Sequence, residues 1–160
     1  MARVIPNENS WVGFATTVAG ADLVPTAAEV AGAVPITHEL VSINASSQGN
    51  VVPTPALDSL FETNVIGTSQ ATFSMDLYRE DDQADPVYAA FVRGAAGFII
   101  ISRFGGTGAN GLPVATDVVE VWPIKVVSRA NSNMANNTVM TYTVTCSVPV
   151  EPNEAATIAA

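Results

Sequence analysis

The chain has 160 residues, enough for one domain with a substantial core, and a formal net charge of −9. Charged residues make up 13% of it and hydrophobic residues 48%, where an ordinary soluble domain is about 25% charged. These figures exclude a basic nucleic-acid grip, a disulfide framework (Cys146 is the single cysteine) and a spanning helix, since the apolar stretch Ala89–Ile101 is broken by Arg93 and Gly94.

So few charges solvate a lone subunit poorly, and predict an obligate assembly that buries much of its surface against copies of itself. No positively charged apolar segment precedes a cleavage site, so no secretory signal is expected. The charge is also uneven. From Val4 to Tyr78 there are seven acids and no Lys or Arg, whereas Arg79–Arg129 holds five bases against six acids.

Trp11–Val18 is expected to be the first strand. Ala19–Gly67 follows, with Pro25, Pro35, Pro53 and Pro55 and little periodic signal, and is read as a long loop or arm. Its helix candidates are short: Thr26-Ala-Ala-Glu29, a capping box, and a turn over Pro55–Phe61. The segment carries Val51, Val52, Leu57, Leu60, Phe61, Val65 and Ile66, too apolar for plain disorder, and these are expected to pack on a neighbouring subunit.

Gln70–Tyr78 alternates cleanly. Ala71, Phe73, Met75 and Leu77 fall on one face, Gln70, Thr72, Ser74 and Asp76 on the other. A helix is expected next, with Asp85 as N-cap, Pro86 at its first position and Gly94 as its stop; Val87 and Phe91, beside Tyr88 and Val92, would cover one side of the sheet. Asp81, Asp82 and Asp85 are explained by the dipole of that helix. They lack the remaining ligands and the glycine of a calcium loop, so no metal site is assigned.

Gly97–Arg103 is apolar on both faces and reads as a central strand. After it, Gly106-Thr-Gly108-Ala-Asn-Gly111 matches G-x-G-x-x-G formally. A phosphate cradle needs a helix to open at the third glycine, but here a β-branched and aromatic run, Val118-Val-Glu-Val-Trp, follows. The glycines therefore read as a hairpin loop.

Val118–Ser128 is a long strand interrupted by Pro123, expected at an edge or a bulge. In Thr138–Val148, Thr141, Thr143, Thr145 and Ser147 oppose Met140, Tyr142, Val144, Cys146 and Val148, so Cys146 is expected in the core. Pro149–Ala160 is left as a second arm or a frayed tail. The whole is a single domain over 1–160, mainly β: antiparallel strands with one wet face each, forming a sandwich or barrel with one flanking helix.

Catalytic chemistry finds no purchase. His38 is the only histidine, no G-x-S-x-G surrounds a serine, and no cofactor site is assigned. Asn44-Ala-Ser46 and Asn136-Asn-Thr138 match the glycosylation pattern, which has no meaning without secretion.

The order of elements resembles the major tail tube proteins of long, non-contractile bacteriophage tails, especially those of actinobacterial phages. The resemblance covers nearly the whole chain. It is carried by Pro25-Thr-Ala-Ala-Glu-Val, by Thr54-Pro-Ala-Leu-Asp-Ser-Leu-Phe with Asn64-Val-Ile-Gly, and by the alternating strand and the acidic linker into a helix ending Arg93-Gly94. Val121-Trp-Pro-Ile-Lys-Val and the Thr-rich strand running into Pro149-Val-Glu-Pro complete it.

It implies a β-sandwich that assembles in the host cytoplasm as hexameric rings. The rings stack into the tail of a virion, with subunit sheets joined into an inner barrel and DNA passing through an acidic lumen without specific binding. The implied partners are further copies and other tail proteins, such as the tape measure and terminator proteins. Gln70, Thr72, Ser74, Asp76, Thr141, Thr143 and Thr145 are the candidate lumen residues, since faces so polar cannot lie in an apolar core. The rival readings are a head decoration or head–tail joining protein, and a nucleotide-binding enzyme built on Gly106–Gly111.

Overall fold

The computed structural model describes residues 10–54, 63–80, 85–132 and 134–160. Among these residues eight strands follow in chain order: β1 Trp11–Ala15, β2 Val34–Pro35, β3 Leu40–Thr54, β4 Thr63–Tyr78, β5 Ala96–Ser102, β6 Val118–Asn131, β7 Thr141–Ser147 and β8 Asn153–Thr157. Two short helices accompany them, α1 Ala27–Ala31 between β1 and β2 and α2 Pro86–Ala90 between β4 and β5. The strands form one antiparallel sheet in the order β2-β1-β5-β6-β7-β4-β3, with β8 also on β6.

The sheet folds over on itself. Val12 and Phe14 of β1 share a buried cluster with Phe73, Met75 and Leu77 of β4, although three strands separate β1 from β4 in the sheet. Only a curled sheet brings both inner faces to one core, which gives the two layers of a sandwich. β6 is the turning point, for its first residues pair with β5 and β8 and its later ones with β7. Pro123 falls between the β8-paired segment, which ends at Val121, and the β7-paired segment, which begins at Lys125. A residue without an N–H is tolerated in that gap.

The central position of β5 explains its continuous apolar run. Ile99 and Ile101 enter the inner core, while Ile100 enters a second cluster with Val30 of α1, Val121, Ala156 and Ile158. Each fully buried isoleucine contributes about 1.5–3 kcal/mol. α2 closes the inner core with Val87, and Phe91, just past its end, meets the Phe14 ring edge-on at 5.1 Å.

Several expectations change here. β3 is a 15-residue strand inside the segment expected to be a long loop. Its apolar residues are sparse because its partner β4, not its own alternation, holds it in place. α2 ends at Ala90 rather than near Gly94, because Phe91 leaves the helix to enter the core; Val92 is exposed. Gly94 takes φ +88° in the turn that follows. A second helix joins the flanking one: α1 has the capping box, with Thr26 Oγ1 accepting from Glu29 N and Thr26 N donating to the Glu29 carboxylate. The tail is not frayed. β8 pairs with β6, Ile158 is buried, and Ala159 bonds Pro25 O and Ala27 N.

Candidate assembly surfaces

Two surfaces stand out, one polar and one apolar. The polar one is assembled by register across four strands. Asp76 on β4 lies between Ser42 on β3 and Thr143 on β7; Ser74 lies between Asn44 and Thr145, and Thr72 between Ser46 and Ser147. Ser147 is opposite Lys125 on β6, and Thr145 opposite Ser128. The two hydroxyl-rich faces read separately in the sequence are thus one continuous face, turned away from the core that holds Phe73, Met75, Tyr142 and Val144. Gln70 continues it opposite Gln48, and Thr141 opposite Tyr78.

Its side chains bond one another. The Ser42 hydroxyl donates to Asp76 Oδ2 at 2.8 Å and the Thr143 hydroxyl to Oδ1 at 2.6 Å, while the Ser46 and Thr72 hydroxyls lie 2.9 Å apart. The Thr143 bond first, then the Ser42 bond, holds the Asp76 carboxyl below the ordinary carboxylate range. A depressed pKa contributes stability that is present above the unfolded value and lost as pH falls through the folded one. Asp76→Asn is therefore expected to flatten the acid limb of the stability profile below about pH 4, which a series of acid unfolding curves would read.

The apolar surface is the far half of the β3–β4 hairpin. β7 covers β4 only from Thr72 to Tyr78, so the remainder projects as a two-stranded ribbon. Val51 pairs with Ile66 and Val52 with Val65, and all four are exposed, Ile66 at 81%. Leu57, Leu60, Phe61 and the turn expected over Pro55–Phe61 lie outside the described residues, as do Asp81 and Asp82. A two-stranded ribbon is marginal in water by itself.

The other sequence candidates have local explanations. The Gly106–Gly111 loop joins β5 to β6, strand to strand. Its first three amides are engaged: Gly106 N donates to Gly111 O, Gly108 N to Leu112 O, and Thr107 N to Asp117 Oδ2. A Cβ on Gly106 would lie 2.2 Å from the Leu112 and Pro113 backbone, so the glycine is required by close approach. Arg103 pairs with Glu120 at the base of the loop. Cys146 is buried, and burial pushes its thiol up to about 12. His38 lies exposed in a cleft of about 360 Å³ with Trp11, Thr37 and Asn110.

Sequence reasoning missed one feature, a cluster under α2. The Arg79 and Arg129 guanidinium carbons lie 3.5 and 3.6 Å from the centroid of the Tyr88 ring, too close to share one face, so the ring is stacked between them. Arg129 Nη1 also donates to Tyr88 O at 2.6 Å, and Arg79 pairs with the α2 N-cap Asp85 at 3.7 Å.

A family model of the phage tail tube protein matches residues 1–160. The chain belongs to the phage tail tube protein family. No curated protein matches its sequence. Among solved structures, the tail tube chain is similar to a chain of the cryo-EM structure of the anti-feeding prophage baseplate, with a TM-score of 0.61 and 14% identity over 95% of each chain. It is also similar to a chain of the virion of a native gene transfer agent particle, with a TM-score of 0.57 and 13% identity over 92% of this chain and 95% of that one. At such identities the likeness is one of fold. The tail tube protein is a structural subunit of the virion tail.

Proposed function

We propose that the subunits join edge to edge into hexameric rings that stack as a hollow tube, with the polar face of β3, β4, β7 and β6 turned to the lumen. The observation that carries this reading is the continuity of that face between two open edges. β3 ends the sheet, and residues 127–131 of β6 have no described strand on the side opposite β7. Joining one edge to the other in the next copy satisfies both ladders and closes the ring.

Among the described residues the proposed lining carries one acid, Asp76, and one base, Lys125. The acidic lumen implied by the family resemblance therefore rests on the net charge of −9 of each subunit, not on a row of lumen carboxylates. DNA slides because no Lys/Arg cluster is present to release counterions, and because the Ser and Thr hydroxyls already bond one another and Asp76. The ribbon reaches a neighbouring subunit, in the same or the next ring. Assembly in the host cytoplasm, alongside tape measure and terminator proteins, belongs to the same reading.

Negative-stain images of the purified chain are expected to show rings or tubes, and isolated monomers under all conditions would refute the reading. The lining is tested with Thr72→Cys and Thr143→Cys. Both thiols are expected to react with a bulky reagent in dissociated subunits and to be shielded in tubes, while a small reagent reaches them through the lumen. Equal labelling of subunits and tubes by the bulky reagent would place the face on the outside.

A further inference from the structure

The β3–β4 hairpin has unlike ends. At one end Leu40 pairs with Leu77 in the body of the subunit; at the other Thr54 pairs with Thr63 at the far limit of the ribbon. Val51 and Ile66 are opposite each other and share one face of that ribbon, while Val52 and Val65 share the other. The ribbon is therefore apolar on both faces at one level, with all four side chains exposed. Such a patch asks for cover on a partner.

A recess lies at the body end. Val12 and Ile101 of the β1–β5 layer and Leu40, Val41 and Ile43 of β3 line a groove of about 430 Å³. Val12 and Ile101 belong to the inner core and Leu40 and Ile43 pack against it, so the groove is the open mouth of that core between the two layers. Val41 stands there 47% exposed. The groove has room for one cross-strand aliphatic pair. Neither surface brings an unpaired charge: residues 40–54 and 63–75 hold none, and Arg103 on the groove wall is paired with Glu120. The ribbon cannot reach the groove of its own subunit, since Val41 and Val51 lie on one strand, about 33 Å apart at about 3.3 Å per residue.

We propose that the groove is the seat of another copy's ribbon, taking its Val51–Ile66 pair, and that this contact links one ring to the next. The seat rests on the edge-to-edge rings proposed above, because strands joined by their edges around a ring leave their ends facing the rings on either side. A projection at one end and a recess at the other make a head-to-tail contact that repeats without closing. Four aliphatic side chains hide on the order of 400 Å², well short of the about 1,200 Å² of a lasting pairwise interface. Two free subunits are therefore not held by one ribbon, whereas a ring that offers several at once binds the next ring firmly.

The double variant Val41→Cys, Ile66→Cys tests the seat. Both side chains are exposed, so the subunit should fold as the parent does, and the span within one chain forbids an internal bridge. Oxidation of tubes with copper–phenanthroline is expected to join the two introduced thiols between copies. Denaturing gels should then show ladders that run past the number of subunits in one ring, while the parent, whose single thiol Cys146 is buried, gives none. A ladder that stops at one ring would place the ribbon within its own ring and overturn the proposal, as would tubes that form without any bridge. Val41→Asp is a second probe. Single rings without tubes are expected in electron micrographs, and tubes of normal length would overturn the seat. Failure of the parent itself to form rings would instead refute the ring reading, and the seat with it.

Discussion

Replacing Val51, Val52, Val65 and Ile66 together with serine is expected to give soluble, β-rich subunits that no longer form tubes. None of the four belongs to either buried cluster, so the thermal transition of the dissociated subunit should barely move. Against a neighbour the same side chains have much to gain, since each buries about 1.5–3 kcal/mol of apolar surface. Association costs translational and side-chain freedom, so only part of this sum appears as affinity. The loss is then repeated at every subunit of a tube, which makes a modest change per contact decisive for polymer length. Sedimentation and electron microscopy read the outcome. Tubes of normal length and heat resistance in the quadruple variant would show that the ribbon does not hold the assembly together.

Trp122→Ala is expected to have the opposite signature, a large loss within the subunit itself. Trp122 is 1% exposed, lies opposite Ile99 on β5 and packs against Phe73 of β4, with ring centroids 5.8 Å apart. It therefore ties the two layers of the folded sheet across its turning strand. Its indole N–H donates to Glu120 at 3.3 Å, so truncation removes a polar contact as well as the ring. Truncating a buried aromatic of this kind costs about 3–5 kcal/mol, against a total of about 5–15 kcal/mol for a typical domain. Denaturant unfolding of dissociated subunits should show a lower midpoint with an unchanged slope. A shift below about 1 kcal/mol would mean that the layers are held elsewhere.

The legible parts of this fold are those where one strand carries the whole signal. β4 and β7 alternate because each has a core face and a solvent face, and β5 is apolar throughout because it has core on both sides. β3 was invisible for the converse reason. Ser42, Asn44, Ser46 and Gln48 face solvent, and of the residues between them only Ile43 and Ala45 pack on the core. β8, Asn153–Thr157, has a sequence with little strand preference and is placed by its pairing with β6 and by buried Ala156. The two hydroxyl faces were each found in the sequence, but that Asp76 sits between Ser42 and Thr143 depends on register between distant strands.

The strand order also sets a clock. β3 and β4 are neighbours in sequence and can zip from the pair Thr54↔Thr63 outward, whereas β1 must find β5 across Trp11↔Ser102 and β4 must find β7 across Tyr78↔Thr141. Closing such distant pairs costs loop entropy before any contact returns it, and proteins dominated by them fold in milliseconds to seconds rather than microseconds. The ribbon that reaches outward thus belongs to the quickest part of the chain to form, and the core that anchors it to the slowest. A nascent subunit exposes this apolar ribbon before it has a finished body, so the rate of core closure, set against the local concentration of other copies, governs whether chains fold as subunits or meet as tangles.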